Sequence, residues 1–125
     1  MTVPAVRILI VDDNITNLKL VSVLLAEGGY DLRAAVNAEG ALVVVRSFRP
    51  RLILLDLQLP DVDRLELTRR LKADAQTRGI PVVAITADGM KAGGERARAA
   101  GVDGYITKPL PPQQFRHAVA SFLTH

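Results

Sequence analysis

Cysteine is absent from the 125 residues, which excludes disulfide scaffolds, thiolate metal centres and cysteine nucleophiles. Tryptophan is absent too, and two tyrosines with three phenylalanines leave little for base stacking. Histidine is scarce: His117 and His125 both fall in the last stretch, and neither is grouped with a carboxylate. No apolar run approaches the ~18 residues that a membrane span needs. The opening Met1-Thr2-Val3-Pro4-Ala5-Val6-Arg7 lacks the charged-then-apolar order of a secretory leader. The net charge of +3 is spread over scattered arginines (Arg7, Arg33, Arg46, Arg64, Arg78, Arg116), with no dense basic stretch interleaved with aromatics. The expectation is a soluble, cytoplasmic chain with neither nucleic acid nor membrane as partner.

What is present is an apolar share of 49%, enough to build a core, and residues 1–125 read as a single domain. In Arg7-Ile8-Leu9-Ile10-Val11 the four residues after the arginine are a continuous apolar run, the mark of a strand buried on both faces. Asp12-Asp13-Asn14 follows, and Asn14 or Thr16 can cap a helix that stops at Gly28-Gly29. Asp31 to Ala35 reads as a short strand and Ala38 to Phe48 as a helix ending before Pro50. Leu52-Ile53-Leu54-Leu55 is a second fully apolar strand, closing on Asp56. A Pro60 loop leads to a helix from about Asp63 to Ala75 with Leu65, Leu67 and Leu71 inward. Pro81 to Ile85 is a fourth strand closing on Thr86, and Lys91 to Ala100 a helix containing Gly93-Gly94, each glycine costing about 1 kcal/mol against alanine. Gly104-Tyr105-Ile106 is a fifth strand before Lys108-Pro109, and Pro112 to Leu123 the last helix. Buried strands alternating with helices give an α/β, flavodoxin-like fold: a five-stranded parallel sheet of order 2-1-3-4-5 flanked by five helices.

Ligands in such sheets sit beyond the carboxyl ends of the strands, so the residues standing there matter most. They are Asp12 and Asp13, Asp56, Thr86 and Lys108. Alone, Asp12-Asp13 can be the charge and cap of a helix, Thr86 an ordinary strand residue and Lys108 a solvated turn. Their common placement on one edge joins them. Two carboxylates about 4 Å apart repel by roughly 4 kcal/mol at an effective dielectric near 20, so three need a cation or a proton. Lys108 supplies one charge; all-oxygen ligands without histidine or cysteine favour magnesium, or manganese, for the rest. Thr86 and Lys108 can hold phosphoryl oxygens and an aspartate can itself take the phosphoryl group, which leaves several candidate nucleophiles.

Ile10-Val11-Asp12-Asp13-Asn14, Leu54-Leu55-Asp56-Leu57-Gln58-Leu59-Pro60, Ile85-Thr86-Ala87 and Tyr105-Ile106-Thr107-Lys108-Pro109 together resemble the motif set of response-regulator receiver domains, stand-alone or within hybrid kinases. The resemblance implies that Asp56 is the phosphoacceptor, fed by a sensor histidine kinase or a histidine phosphotransfer protein. It implies a magnesium ion on Asp13, Asp56 and the backbone carbonyl of Gln58, with Asp12 acting through water. Thr86 and Lys108 would contact the phosphoryl group, and Thr86 and Tyr105 would switch the surface of the fourth helix, fifth strand and fifth helix toward a downstream protein effector. Gln58 and Asp88 stand where the family tunes dephosphorylation. Ile15, Leu18 and Leu25 of the first helix would form the kinase-docking face, the alternative being that these apolar residues are mostly core. The chain would be a signalling domain rather than an enzyme, catalysing only its own phosphotransfer and dephosphorylation. A receiver-like scaffold that works without phosphate and an aspartyl-phosphate phosphatase are the other readings; the phosphatase usually carries Asp-x-Asp, and here Gln58 stands two after Asp56.

One position departs from the family. Where Pro-x-x-x-Gly is usual, the chain reads Pro60-Asp61-Val62-Asp63-Arg64. A positive φ at Arg64 would strain it by about 1 kcal/mol; alternatively Arg64 simply begins the helix.

Overall fold

Strands with no polar alternation have two faces to bury, and a central parallel sheet covered on both sides is the arrangement that buries them. The computed structural model describes residues 5–57, 62–86, 98–107 and 111–123. Its strands are β1 (Arg7–Val11), β2 (Asp31–Ala35), β3 (Leu52–Leu57), β4 (Val82–Thr86) and β5 (Gly104–Thr107), all parallel, in the order β2-β1-β3-β4-β5. The helices are α1 (Ile15–Ala26), α2 (Ala38–Phe48), α3 (Val62–Ala73), α4 (described over 98–100) and α5 (Pro112–Leu123). Fold class and strand order are those read from the sequence. Among the described residues no helix is long and apolar enough to cross a membrane.

The two-residue period of the strands sorts the core into two layers. Leu9, Val11, Ile53 and Leu55 meet Ala41 and Val45 of α2, Leu65, Leu67 and Leu71 of α3, and Ala100. Ile8, Ile10, Leu52 and Leu54 meet Leu18 and Leu25 of α1 and Phe115 and Val119 of α5. Leu18 and Leu25 are therefore core residues, which corrects their assignment to a docking face; the exposed apolar residues of α1 are Ile15, Leu20 and Val23.

Local chemistry sets the helix ends. The Asn14 side chain accepts the Asn17 amide at 3.1 Å and the Asn37 side chain accepts that of Gly40 at 2.8 Å, so asparagines start α1 and α2. After α1 the chain turns through Gly29 at φ +72°. α3 ends earlier than its leucine spacing implies, because Asp74 Oδ1 takes the Gln76 amide at 2.9 Å and the Thr77 hydroxyl donates to the Leu71 carbonyl at 2.6 Å. Just before that end, Lys72 Nζ donates to the carbonyls of Arg78 and Ile80 and to Asp103 Oδ2, at 3.1, 3.0 and 2.7 Å. Asp103 Oδ2 also accepts the Val82 amide at 2.8 Å, fixing the entry to β4.

Two edge details complete the frame. β2 is an outer strand, largely exposed; its Arg33 pairs with Asp31 at 3.9 Å and lies 5.1 Å over the Phe48 ring. At the start of β5, Gly104 is bare because a Cβ there would collide with the Phe122 ring of α5.

Candidate acidic site at the strand ends

The register of the central strands places the site. Val11 of β1 pairs with Leu55 of β3, so Asp12 and Asp56 each stand one residue further on, on neighbouring strands about 4.8 Å apart. Across β3, Leu57 pairs with Thr86 of β4. β3 runs one residue beyond Asp56 to Leu57, so the carboxylate belongs to the strand itself rather than closing it. Asp12, Asp56 and Thr86 are all buried, at 1%, 2% and 4% exposure, while the Asp13 side chain is 66% exposed. A buried carboxylate needs a compensating charge or hydrogen bonds, and two of them side by side need more.

For Asp12 the partners are specific. Its amide donates to the Ala35 carbonyl at 3.0 Å, tying the loop after β1 to the end of β2. Its Oδ1 accepts the Asn14 amide at 2.9 Å, a turn that feeds directly into the capped start of α1. The charge is met from a direction that strand-end reasoning did not foresee. Arg64 Nη2 lies 2.8 Å from Asp13 Oδ1 and 3.7 Å from Asp12 Oδ1, and its side chain is only 8% exposed.

Of the two readings of Arg64, the one in which it lies at the start of the helix holds, and the strain of a positive φ is absent. Residue 64 is the third residue of α3, and among the described residues the non-glycine with positive φ is Arg49, at 53°. There the following Pro50 disfavours the right-handed helical region, so the strained arginine is the one that ends α2. The Arg64 carbonyl also accepts the hydroxyl of fully buried Thr68, one turn further on, at 3.2 Å. The departure from the family pattern at this position was legible. Its use was not, because a side chain's reach from one loop to another leaves no periodic trace.

The donor set of Asp12, Asp13 and Asp56 has the chemistry for a hard divalent cation, oxygen throughout and negative. The arrangement is another matter. Among the described residues no three aspartate, glutamate or histidine side chains are grouped to hold a metal ion. The acidic donors fit such an ion by type, while a guanidinium rests on two of the three. Tyr105, expected to act as a switch, is partly buried against the α2–α3 layer with the Arg98 guanidinium 6.0 Å from its ring. Gln58, Asp88, Lys108 and the Gly93-Gly94 pair lie outside the described residues.

Comparison with known proteins agrees with this geometry. A family model for the response regulator receiver domain matches residues 8–120. The polar-differentiation response regulator DivK of Brucella anthropi is 43% identical over 116 residues, covering 93% of this chain and 94% of that protein. Its counterpart in Brucella ovis is 41% identical over the same coverage. Among solved structures, a putative response regulator of Chloroflexus aurantiacus superposes with a TM-score of 0.88 at 29% identity, covering 98% of this chain and all 100% of that one. The receiver domain of a Pseudomonas aeruginosa sensor histidine kinase, solved with a magnesium ion coordinated in its active-site cleft, gives a TM-score of 0.87 at 25% identity and covers 98% of this chain and 100% of that one. With the profile match spanning most of its length and relatives above 40% identity, the chain belongs to the response-regulator receiver domains of two-component systems.

Proposed function

We propose that the chain accepts a phosphoryl group on Asp56 from a phosphohistidine of a sensor kinase or phosphotransfer protein, and that the modified form changes which protein partner it binds. The observation that supports this reading is that Asp12, Asp56 and Thr86 stand at the carboxyl ends of three adjacent strands, with Thr86 paired to Leu57, one residue beyond Asp56. A carboxylate oxygen of Asp56 attacks phosphorus, the bond from phosphorus to the donor's imidazole nitrogen breaks, and the ring nitrogen keeps the electron pair. Thr86 stands one strand away, its hydroxyl a donor for a phosphoryl oxygen, and Lys108 supplies the matching positive charge. Asp12, Asp13, Asp56 and the Gln58 carbonyl would hold magnesium or manganese, which when bound neutralises carboxylate charge and polarises the phosphoryl oxygens.

Donor access follows from the β1–α1 loop. Ile15 and Val23, both well exposed, sit on the helix that leaves the site directly after Asp13, and form an apolar approach for the histidine-bearing domain. On the output side, phosphate on Asp56 adds charge and acceptors beside Thr86, and a hydroxyl drawn toward it leaves room for Tyr105 to turn inward. Gln58 and Asp88, at the positions where the family tunes dephosphorylation, set how long the phosphoryl group survives. These are steps of a cytoplasmic signalling relay, with catalysis confined to the chain's own modification.

Intact-mass spectrometry after incubation with acetyl phosphate tests the reading. The expected result is one added phosphate that needs both the divalent cation and Asp56, and is lost completely in Asp56→Asn. An adduct that persists in Asp56→Asn overturns it. The Arg64 contact favours a second reading, a receiver fold that works without phosphate; it gains if no adduct forms and beryllofluoride leaves the protein unperturbed.

A further inference from the structure

Arg64 stands in the first turn of α3, where the helix dipole disfavours a cation, and its side chain is nearly sealed from solvent. Burying a guanidinium that cannot deprotonate requires fixed negative charge beside it, and Asp13 and Asp12 provide that at 2.8 and 3.7 Å. The same two residues are proposed cation ligands. A divalent ion bound to these oxygens would lie within a few ångströms of the guanidinium, positive against positive, with the guanidinium and Asp12 shielded from solvent and only Asp13 open to it.

We propose that Arg64 is the resident counter-cation of the acidic pocket, and that a divalent cation enters by exchange, displacing the guanidinium from Asp13. The proposal rests on the reading of Asp12, Asp13 and Asp56 as a divalent-cation site. Arginine's long side chain makes the exchange possible without unwinding α3, since rotation about its side-chain bonds is enough to lift the guanidinium from the loop. Two consequences follow. Without a divalent ion the pocket is already partly neutralised, so the metal-free fold does not carry the full repulsion of its carboxylates. With one, affinity is lowered by whatever the guanidinium contact is worth. Arg64 thus acts as a positioning residue for the carboxylates and sets the cation concentration at which the site fills.

Manganese titration followed by the electron paramagnetic resonance of the free ion tests this directly, with no phosphate donor present. Arg64→Gln and Arg64→Gly are expected to bind manganese about tenfold tighter or more than the native chain, a difference of ~1.4 kcal/mol. Arg70→Gln, an exposed arginine on the same helix, removes the same net charge and should stay within about twofold. Melting of the metal-free proteins gives a second readout: both Arg64 variants should melt below the native chain, and magnesium should raise them by more than it raises the native chain. Affinity that is unchanged or weaker in both variants, or no binding in any of the proteins, overturns the exchange. Tighter binding with no phosphate adduct would leave the exchange standing and remove the phosphoacceptor reading; a normal adduct with unchanged affinity would do the reverse.

Discussion

Helix α3 carries a cation near each end, Arg64 buried and Lys72 partly so, and the two are held in opposite ways. Lys72 donates to two backbone carbonyls and to Asp103, whose carboxylate is itself pinned by the Val82 amide. All three of its protons point at acceptors fixed by the fold. Arg64, eight residues earlier, leans on the side chains of the β1–α1 loop, one of them two-thirds exposed. A cation satisfied by backbone has nowhere better to go and works as a rivet between α3 and the entry to β4. A cation satisfied by carboxylates that have another possible partner is exchangeable. Burial alone does not separate the two roles; the identity of the acceptors does.

That contrast can be broken by experiment. Lys72→Met leaves the Arg78 and Ile80 carbonyls without their donor and should cost about 2 kcal/mol in urea unfolding, the same with and without magnesium. A magnesium-dependent loss there would erase the distinction from Arg64, whose variants should differ from the native chain chiefly when the metal is absent. Asp103→Asn keeps an acceptor for Val82 but removes the charge beside Lys72, and about 1 kcal/mol is expected because the carboxylate is partly exposed. The smallest effect should be the coupling between the two ends. Lys72 and Arg64 are about 12 Å apart along the helix axis, so the combined Arg64→Gln and Lys72→Met variant should lose the sum of the single losses to within about 0.5 kcal/mol. A larger coupling in denaturation would mean that α3 transmits strain from one end to the other.

Much of the frame was legible because it follows from periodicity. Four-residue and five-residue aliphatic runs such as Leu52–Leu55 have no polar face to expose, and that forces a covered parallel sheet. The start of α1 was readable as Asn14 or Thr16, since a side-chain acceptor before an apolar run has one common use, and the structure shows Asn14 in that role, as Asn37 is for α2. The end of α3 was misread by two residues, because the hydroxyl of Thr77 and the carboxylate of Asp74 compete for backbone groups that the leucine pattern assigned to the helix. At the site, Asp12, Asp56 and Thr86 were placed by counting from strand ends; the register puts them along one edge of the sheet, with β3 running on to Leu57 and Thr86 level with that residue rather than with Asp56. Arg64 shows where such counting stops. Its anomaly was visible as a missing glycine and was read as a question of backbone geometry, whereas the backbone is ordinary and the side chain carries the difference. The same anomaly of φ did occur, fifteen positions earlier at Arg49, where a following proline rather than a family pattern imposes it.

The outer strand β2 has a consequence for how this chain behaves in a crowded solution. An unpaired strand edge is a template on which another chain can extend the sheet, and aggregation often begins there. β2 meets that hazard with Asp31 and Arg33 paired along its length and with the Arg33 guanidinium laid over Phe48. An incoming strand would meet these charged side chains beside the edge with which it has to pair. Growth of the sheet is disfavoured on that side by the residues that make the strand look, on composition alone, like the weakest of the five.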